Sequence, residues 1–134
     1  TWRRHRGVCR LAQRRHWRVR KKICGTVQRP RMSVCFTNQN IHVQFIDDTS
    51  GATLAAVSTL AKNVLDRDKL AANVNSAKIL GKLAAEAALA HGIKEVVFDR
   101  GAARYHSSKG KDGKVIYGKV ATLAEAARAA GLKF

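Results

Sequence analysis

No aspartate or glutamate occurs before Asp47. The stretch that lacks them holds twelve cations, Arg3, Arg4, Arg6, Arg10, Arg14, Arg15, Arg18, Arg20, Lys21, Lys22, Arg29 and Arg31. The net charge of +17 therefore divides into +12 for residues 1–31 and +5 for the rest. Such a segment repels itself, cannot build a core, and needs a polyanion to settle on. Other scarcities narrow the class further. The three cysteines, Cys9, Cys24 and Cys35, are odd in number and lie 15 and 11 residues apart. That argues against a disulfide framework and suits a reducing compartment. Zinc ligands come in close pairs, so this spacing also argues against a zinc site, even with His5 and His16 nearby. No apolar run approaches the roughly 20 residues of a membrane span. The charged N-terminus has no apolar region after it, which is not a secretory signal pattern. The chain opens on Thr1, which leaves room for an upstream targeting segment. Aromatics are few and alanine is abundant, so the core is expected to be small and tightly packed.

With one proline, Pro30, little in the chain forbids helix. Residues 3–24 read as a basic helix or, in the free protein, as a disordered tail. Neutralisation by RNA phosphates favours the helix. Its apolar members form no broad stripe, so it suits neither a core nor a membrane surface. Gly25 and Pro30 mark a hinge into the globular part. Alternation predicts strands over Met32–Thr37 and Ile41–Ile46, and Ala52–Ser58 reads as a third, joined as a meander by turns at Asn38-Gln39 and Asp47–Gly51. Thr59–Ala72 is ambiguous, a short helix or a loop. Ala77, Leu80, Ala84, Ala87 and Ala88 fall at helical spacing within Ser76–His91, and Gly92 stands just past the end. Lys94–Phe98 reads as a buried strand. A helix between two strand signals predicts a crossover, with this strand parallel to one of the meander. Asp99–Gly118 is a Gly-, Lys- and Ser-rich loop, and Lys119–Ala130 is a second amphipathic helix. The expected fold class is α/β, with residues 1–31 as a basic extension and 32–134 as the globular domain.

Several residues invite a catalytic reading. Asp47, Asp48 and Asp99 sit at expected strand ends, and Glu86 lies on a helix. A two-metal nuclease needs such carboxylates to converge on ions about 4 Å apart. The simpler account is that Asp47 and Asp48 shape their turn, while Asp99 orders its loop or pairs with Arg100. Gly110–Lys114 lacks the strand and hydroxyl of a phosphate loop and reads as a hairpin tip. Arginine and lysine suit phosphate contacts. Trp2, Trp17, Phe36, Tyr105 and Tyr117 could offer faces to unstacked bases, although Phe36, on a strand, reads better as core.

These residues resemble one family, the bacterial-type ribosomal protein L-eighteen. The likeness runs from Arg14 to Phe134. It rests on Arg18-Val19-Arg20-Lys21-Lys22 with Gly25-Thr26, on Arg29-Pro30-Arg31-Met32-Ser33-Val34, and on Ile46-Asp47-Asp48 with Gly51. It continues through Val96-Val97-Phe98-Asp99-Arg100-Gly101 with Tyr105-His106, and closes on Ala130-Gly131-Leu132 and Phe134. The resemblance implies a three-layer mixed sheet of the ribonuclease-H-like group found in translation proteins. It implies a structural role on the ribosome, of bacterial cytoplasm or of an organelle, with no catalysis and no cofactor. Its implied partners are 5S rRNA, the large-subunit rRNA and neighbouring 5S-binding proteins in the central protuberance, with no membrane and no DNA. The expected RNA-binding set is the twelve cations above, of which Arg3, Arg4, Arg6 and Arg10 rest on charge alone, with Asn38, His42, Gln44, Arg100, Tyr105 and His106. Ser107–Tyr117 interrupts the family pattern. It is expected to form a mobile basic hairpin that adds Lys109, Lys111 and Lys114 to the set. The rival function is an RNA-processing nuclease of related fold that uses Asp48 and Asp99.

Overall fold

Period-two patterning brings three consecutive strands together, and their shared apolar face dictates everything packed on it. The computed structural model describes residues 2–62, 64 and 71–134. Strands β1 (Arg31–Phe36), β2 (Ile41–Asp47) and β3 (Ala52–Ser58) form an antiparallel meander. β1 and β2 pair Met32 with Phe45, Val34 with Val43 and Phe36 with Ile41, so the apolar residues of both strands fall on one face. On the other face lie the rows Ser33–Gln44–Ala56 and Cys35–His42–Ser58. Met32, Ile41, Val43 and Phe45 are fully buried. Each large side chain so buried contributes about 1.5–3 kcal/mol before entropic costs. A bulge between Phe45 and Ile46 shifts the register just before the Asp47 turn.

After a segment that lies largely outside the described residues, including most of the ambiguous Thr59–Ala72 stretch, α2 (Val74–Ala90) crosses back over the apolar face. It starts two residues earlier than its apolar spacing suggests, because Asn73 caps it. The Asn73 side-chain oxygen accepts the Ser76 N–H at 2.8 Å. The crossover delivers β4 (Val97–Asp99), which pairs with β1 in parallel. The sheet order is thus β3-β2-β1-β4, a mixed sheet whose one parallel pair follows from the crossover. β4 is shorter than the expected strand. Ahead of it Val96 N–H donates to Lys133 and Lys133 N–H to Lys94, so the C-terminus takes up the edge. Phe134 stacks on Phe98 at 5.2 Å, and Arg128 lies 4.6 Å from the Phe134 ring centre.

The helix α3 (Lys119–Ala129) packs beside α2. Both helices bury small residues, Ala77, Ala84, Ala85 and Ala88 on α2 and Ala121, Ala124 and Ala127 on α3, all fully buried. Gly81 sets the approach. A Cβ there would lie 2.6 Å from the Leu123 carbonyl oxygen and 2.9 Å from the Ala126 Cβ. Between β4 and α3, β5 (Ser107–Lys109) and β6 (Val115–Tyr117) form an antiparallel hairpin in the expected place, fully exposed. The N-terminal α1 (Trp2–Arg20) stops four residues before the end suggested by the sequence. No helix among the described residues is long and apolar enough to cross a membrane.

Gly81→Val should overpack the α2–α3 contact and destabilise the domain by about 1–3 kcal/mol. The expected reading is a lower urea midpoint with an unchanged denaturant slope.

Candidate nucleic-acid interface

The interface is built outward from one buried arginine. Arg31 opens β1 and is 8 % exposed. Its Nε and Nη2 donate to the two oxygens of Asp48 at 3.0 and 3.1 Å, and its Nη1 donates to Asp99 at 2.9 Å. Arg20, at the end of α1, makes a second two-pronged contact with the same Asp48 at 2.9 and 3.0 Å. The Gly25 N–H adds a bond to Asp48 at 2.8 Å, and the Asp48 N–H returns one to the Gly25 carbonyl. A Cβ at Gly25 would lie 2.4 Å from the Ile46 carbonyl oxygen, so only glycine allows this approach. Asp99 completes the set by accepting the Gly101 N–H at 2.9 Å.

Charge and burial follow from this geometry. The hydrogen bond from Arg31 holds the Asp48 carboxyl well below its usual range, against the opposing effect of burial and with help from Arg20 and Gly25. Burial works against the Arg31 charge, but Asp48 and Asp99 outweigh it and raise its pKa. Hydrogen bonds from Thr49 and Ser50 hold Asp47 low as well. Both oxygens of Asp48 and of Asp99 therefore have donors within the fold. The nuclease reading needed these carboxylates open towards ions, and guanidinium groups stand there instead. Asp99 also takes Arg31, not the neighbouring Arg100, as its ion-pair partner. Among the described residues, no three of His, Cys, Asp or Glu gather as metal ligands.

Arg31 thus differs from the other expected RNA-binding residues, because its charge is neutralised inside the domain. Arg20 is half-buried at Asp48. Arg10, Arg14, Arg15 and Arg18 are exposed along α1, and Lys21, Lys22 and Arg29 are exposed after it. The side chains of Arg3, Arg4 and Arg6 lie outside the described residues. The half-buried positions of α1 are Ala12, His16, Val19 and Arg20, a narrow stripe at helical spacing that faces the domain. Trp17 is 59 % exposed.

Two clefts flank the turn Arg100–Ala103, where the Ala103 N–H donates to Arg100. One, of about 410 Å³, is lined by Arg15, Arg18 and Lys22 from the N-terminal segment and by Arg100 and Arg104 from the turn. Arg104 was not among the expected contacts, although its place four residues after Arg100 in a loop could have suggested it. The other cleft, of about 470 Å³, lies between α1 and the half of β1 beyond its pairing with β4. Phe36 lines it while also packing against the core from its half-buried position.

On the open sheet face, Gln44 is exposed and His42 Nδ1 lies 2.8 Å from Ser58 Oγ. Asn38 is exposed in the β1–β2 turn. The Tyr105 hydroxyl donates a long bond, 3.4 Å, to Glu125. The His106 ring lies close against Gly118, where a Cβ would come within 2.6 Å of its Cε1. Lys109, Lys111 and Lys114 are exposed on the hairpin with Val115, Ile116 and Tyr117.

The profile of the family described as ribosomal L18 of archaea, bacteria, mitochondria and chloroplast matches residues 9–134. This chain belongs to that family. The large ribosomal subunit protein uL18 of Dictyoglomus thermophilum is 46 % identical over 124 residues, covering 92 % of this chain and 93 % of that protein. Its counterpart from Lactobacillus delbrueckii subsp. bulgaricus is 50 % identical over 125 residues, covering 93 % of each. That from Thermomicrobium roseum is 47 % identical over 123 residues, covering 91 % of this chain and 90 % of that protein. The family is a structural, non-enzymatic one of the large subunit, in keeping with carboxylates committed to internal arginines.

Asp48→Asn should leave Arg31 and Arg20 with one poor acceptor, costing roughly 3 kcal/mol of stability at pH 7 by urea unfolding. Because the Asp47 and Asp48 values are depressed in the folded state, the stability they supply is present above about pH 4 and lost as pH falls below it. Wild-type midpoints should drop between pH 5 and pH 3, and the variant should show a shallower drop.

Proposed function

We propose that this protein binds 5S rRNA within the large ribosomal subunit and helps attach it to the large-subunit rRNA in the central protuberance, beside neighbouring 5S-binding proteins. One observation carries this reading. A row of exposed arginines on α1 and the cationic cleft at Arg100–Arg104 are held in fixed relation by the Arg20–Asp48–Arg31–Asp99 network. Phosphate contacts of this kind supply affinity and set orientation, whereas base contacts supply the choice of sequence. In this reading the basic RNA-binding extension ends at residue 30 and not at 31 as expected, because Arg31 opens β1. The α/β domain, which we assign to the ribonuclease-H-like group of translational proteins, selects the partner. Arg10, Arg14, Arg15, Arg18, Lys21, Lys22, Arg29, Arg100 and Arg104 meet phosphates. Asn38, His42 and Gln44 on the sheet side, and Tyr105 and His106 below the hairpin, meet RNA at shorter range. Arg31 and Arg20 are left out of the set, since both guanidinium groups are paired with Asp48 inside the fold.

Binding should depend strongly on salt. With about eight phosphates engaged, log K should fall against log salt with a slope of about −6 to −7. Removing residues 1–19, which keeps Arg20 at Asp48, should flatten that slope and leave the domain folded by circular dichroism. Competition between 5S rRNA, duplex DNA and acidic liposomes tests the choice of partner. The proposal fails if either competitor displaces the 5S rRNA on an equal footing.

The hairpin Ser107–Tyr117 brings three lysines against one acid, Asp112. We assign it a contact with rRNA or with an adjacent ribosomal protein. Deleting 107–117 should leave thermal stability within about 1 kcal/mol, because the hairpin adds nothing to the core. It should also remove specific cross-links in assembled large subunits.

A further inference from the structure

We propose that the two clefts beside the Arg100–Ala103 turn form a single seat for one unpaired nucleotide of the bound RNA. The nucleotide's phosphate lies among the cations, and its base enters the cleft between α1 and β1. The inference rests on the RNA-binding reading above and adds what part of the RNA is gripped.

The two clefts differ in chemistry and share a wall. The first collects five cationic side chains, Arg15, Arg18, Lys22, Arg100 and Arg104, with no acid among its lining residues. Only an anion can gather there without leaving the cations in mutual repulsion. The second is mainly apolar, and its volume of about 470 Å³ falls within the range of small-molecule sites, ~300–1,000 Å³. The wall between them is Arg100, Gly101, Ala102 and Ala103, which line both clefts. Only Arg100 in that wall carries a long side chain, and Asp99 fixes the turn through the Gly101 N–H. A nucleotide has the same two-part chemistry, a phosphate joined to a flat ring.

The apolar cleft carries the groups that a base needs. His16 and Phe36 are half-buried rings on its sides, suited to stacking. Gln13 and Ser33 bring polar groups that can bond a base edge. A base still paired in a duplex has its faces covered by its neighbours, so the cleft selects for an unstacked nucleotide in a loop or bulge. The charge of the adjoining cleft is what makes RNA, and not an apolar peptide, the fitting occupant.

Ala12 lines only the apolar cleft, from α1, and leucine is a good helix former, so Ala12→Leu fills the seat without breaking the helix. With 5S rRNA and a blunt RNA duplex as probes, Ala12→Leu should weaken 5S rRNA binding about tenfold at fixed salt. The salt slope should not change, since no phosphate contact is lost, and duplex binding should not change either. His16→Ala, which cannot overfill the cleft, should act in the same direction. An unchanged 5S rRNA affinity in both variants, or an equal loss on duplex RNA, would overturn the seat alone. A wild-type protein that does not prefer 5S rRNA to the duplex would overturn the 5S reading along with it.

Discussion

A single guanidinium, that of Arg31, fixes the relative placement of four parts of the chain. Through Asp48 it holds the turn after β2, and through Asp99 it holds the end of β4 and the turn that follows. The Gly25 backbone and the Arg20 side chain meet on the same Asp48, which brings in the hinge and the end of α1. Burying charges is costly, and for buried pairs in general an apolar replacement of equal shape is often as stable or more so. What the Arg31 network supplies is position, since two-pronged bonds tolerate little rotation. Without it, the arginines of α1 would face the Arg100 turn at no defined distance.

The division of labour between the ends of the chain follows. Among the described side chains of α1, the half-buried ones that face the domain form one narrow stripe from Ala12 to Arg20. The domain can hold that light contact steady because it has a continuous buried core of its own. Buried alanine on both α2 and α3, with Gly81 at a close approach, leaves few rotatable side chains inside. Little entropy is lost in ordering such a core, and the sheet beneath it becomes a firm platform. The face of the sheet turned away from α2 stays polar and open, beside the clefts along α1.

Most of the meander was legible because its signals are local. Ile41, Val43 and Phe45 alternate strictly, and β3 has the bounds expected of it, Ala52–Ser58. The parallel pairing of β4 with β1 also followed, since a helix between strands leaves few alternatives. The Arg31–Asp48–Asp99 network was not legible. Its partners lie 17 and 68 residues from Arg31, and nothing in the local pattern separates a buried arginine from the eleven other cations around it. The acids looked like candidate metal ligands for the same reason. A carboxylate at a strand end reads alike whether an ion or a guanidinium faces it. Arg104 was missed because clefts arise from tertiary packing, which no spacing rule describes. Family resemblance succeeded where pattern stopped, as it draws on the whole order of segments.

The hairpin leaves and re-enters the domain at nearly one point, with the Gly118 N–H donating to the His106 carbonyl at 3.0 Å. The His106 ring packs close against Gly118 at this junction, and α3 begins directly after it. A segment hung from such a closed base is invisible to the core. Its length can change by whole hairpins with only a slowly growing closure entropy, about 0.6 kcal/mol per doubling. Tyr105–His106 and Gly118 thus act as a socket, from which the hairpin projects while the packing of α2, α3 and the sheet is left as it is.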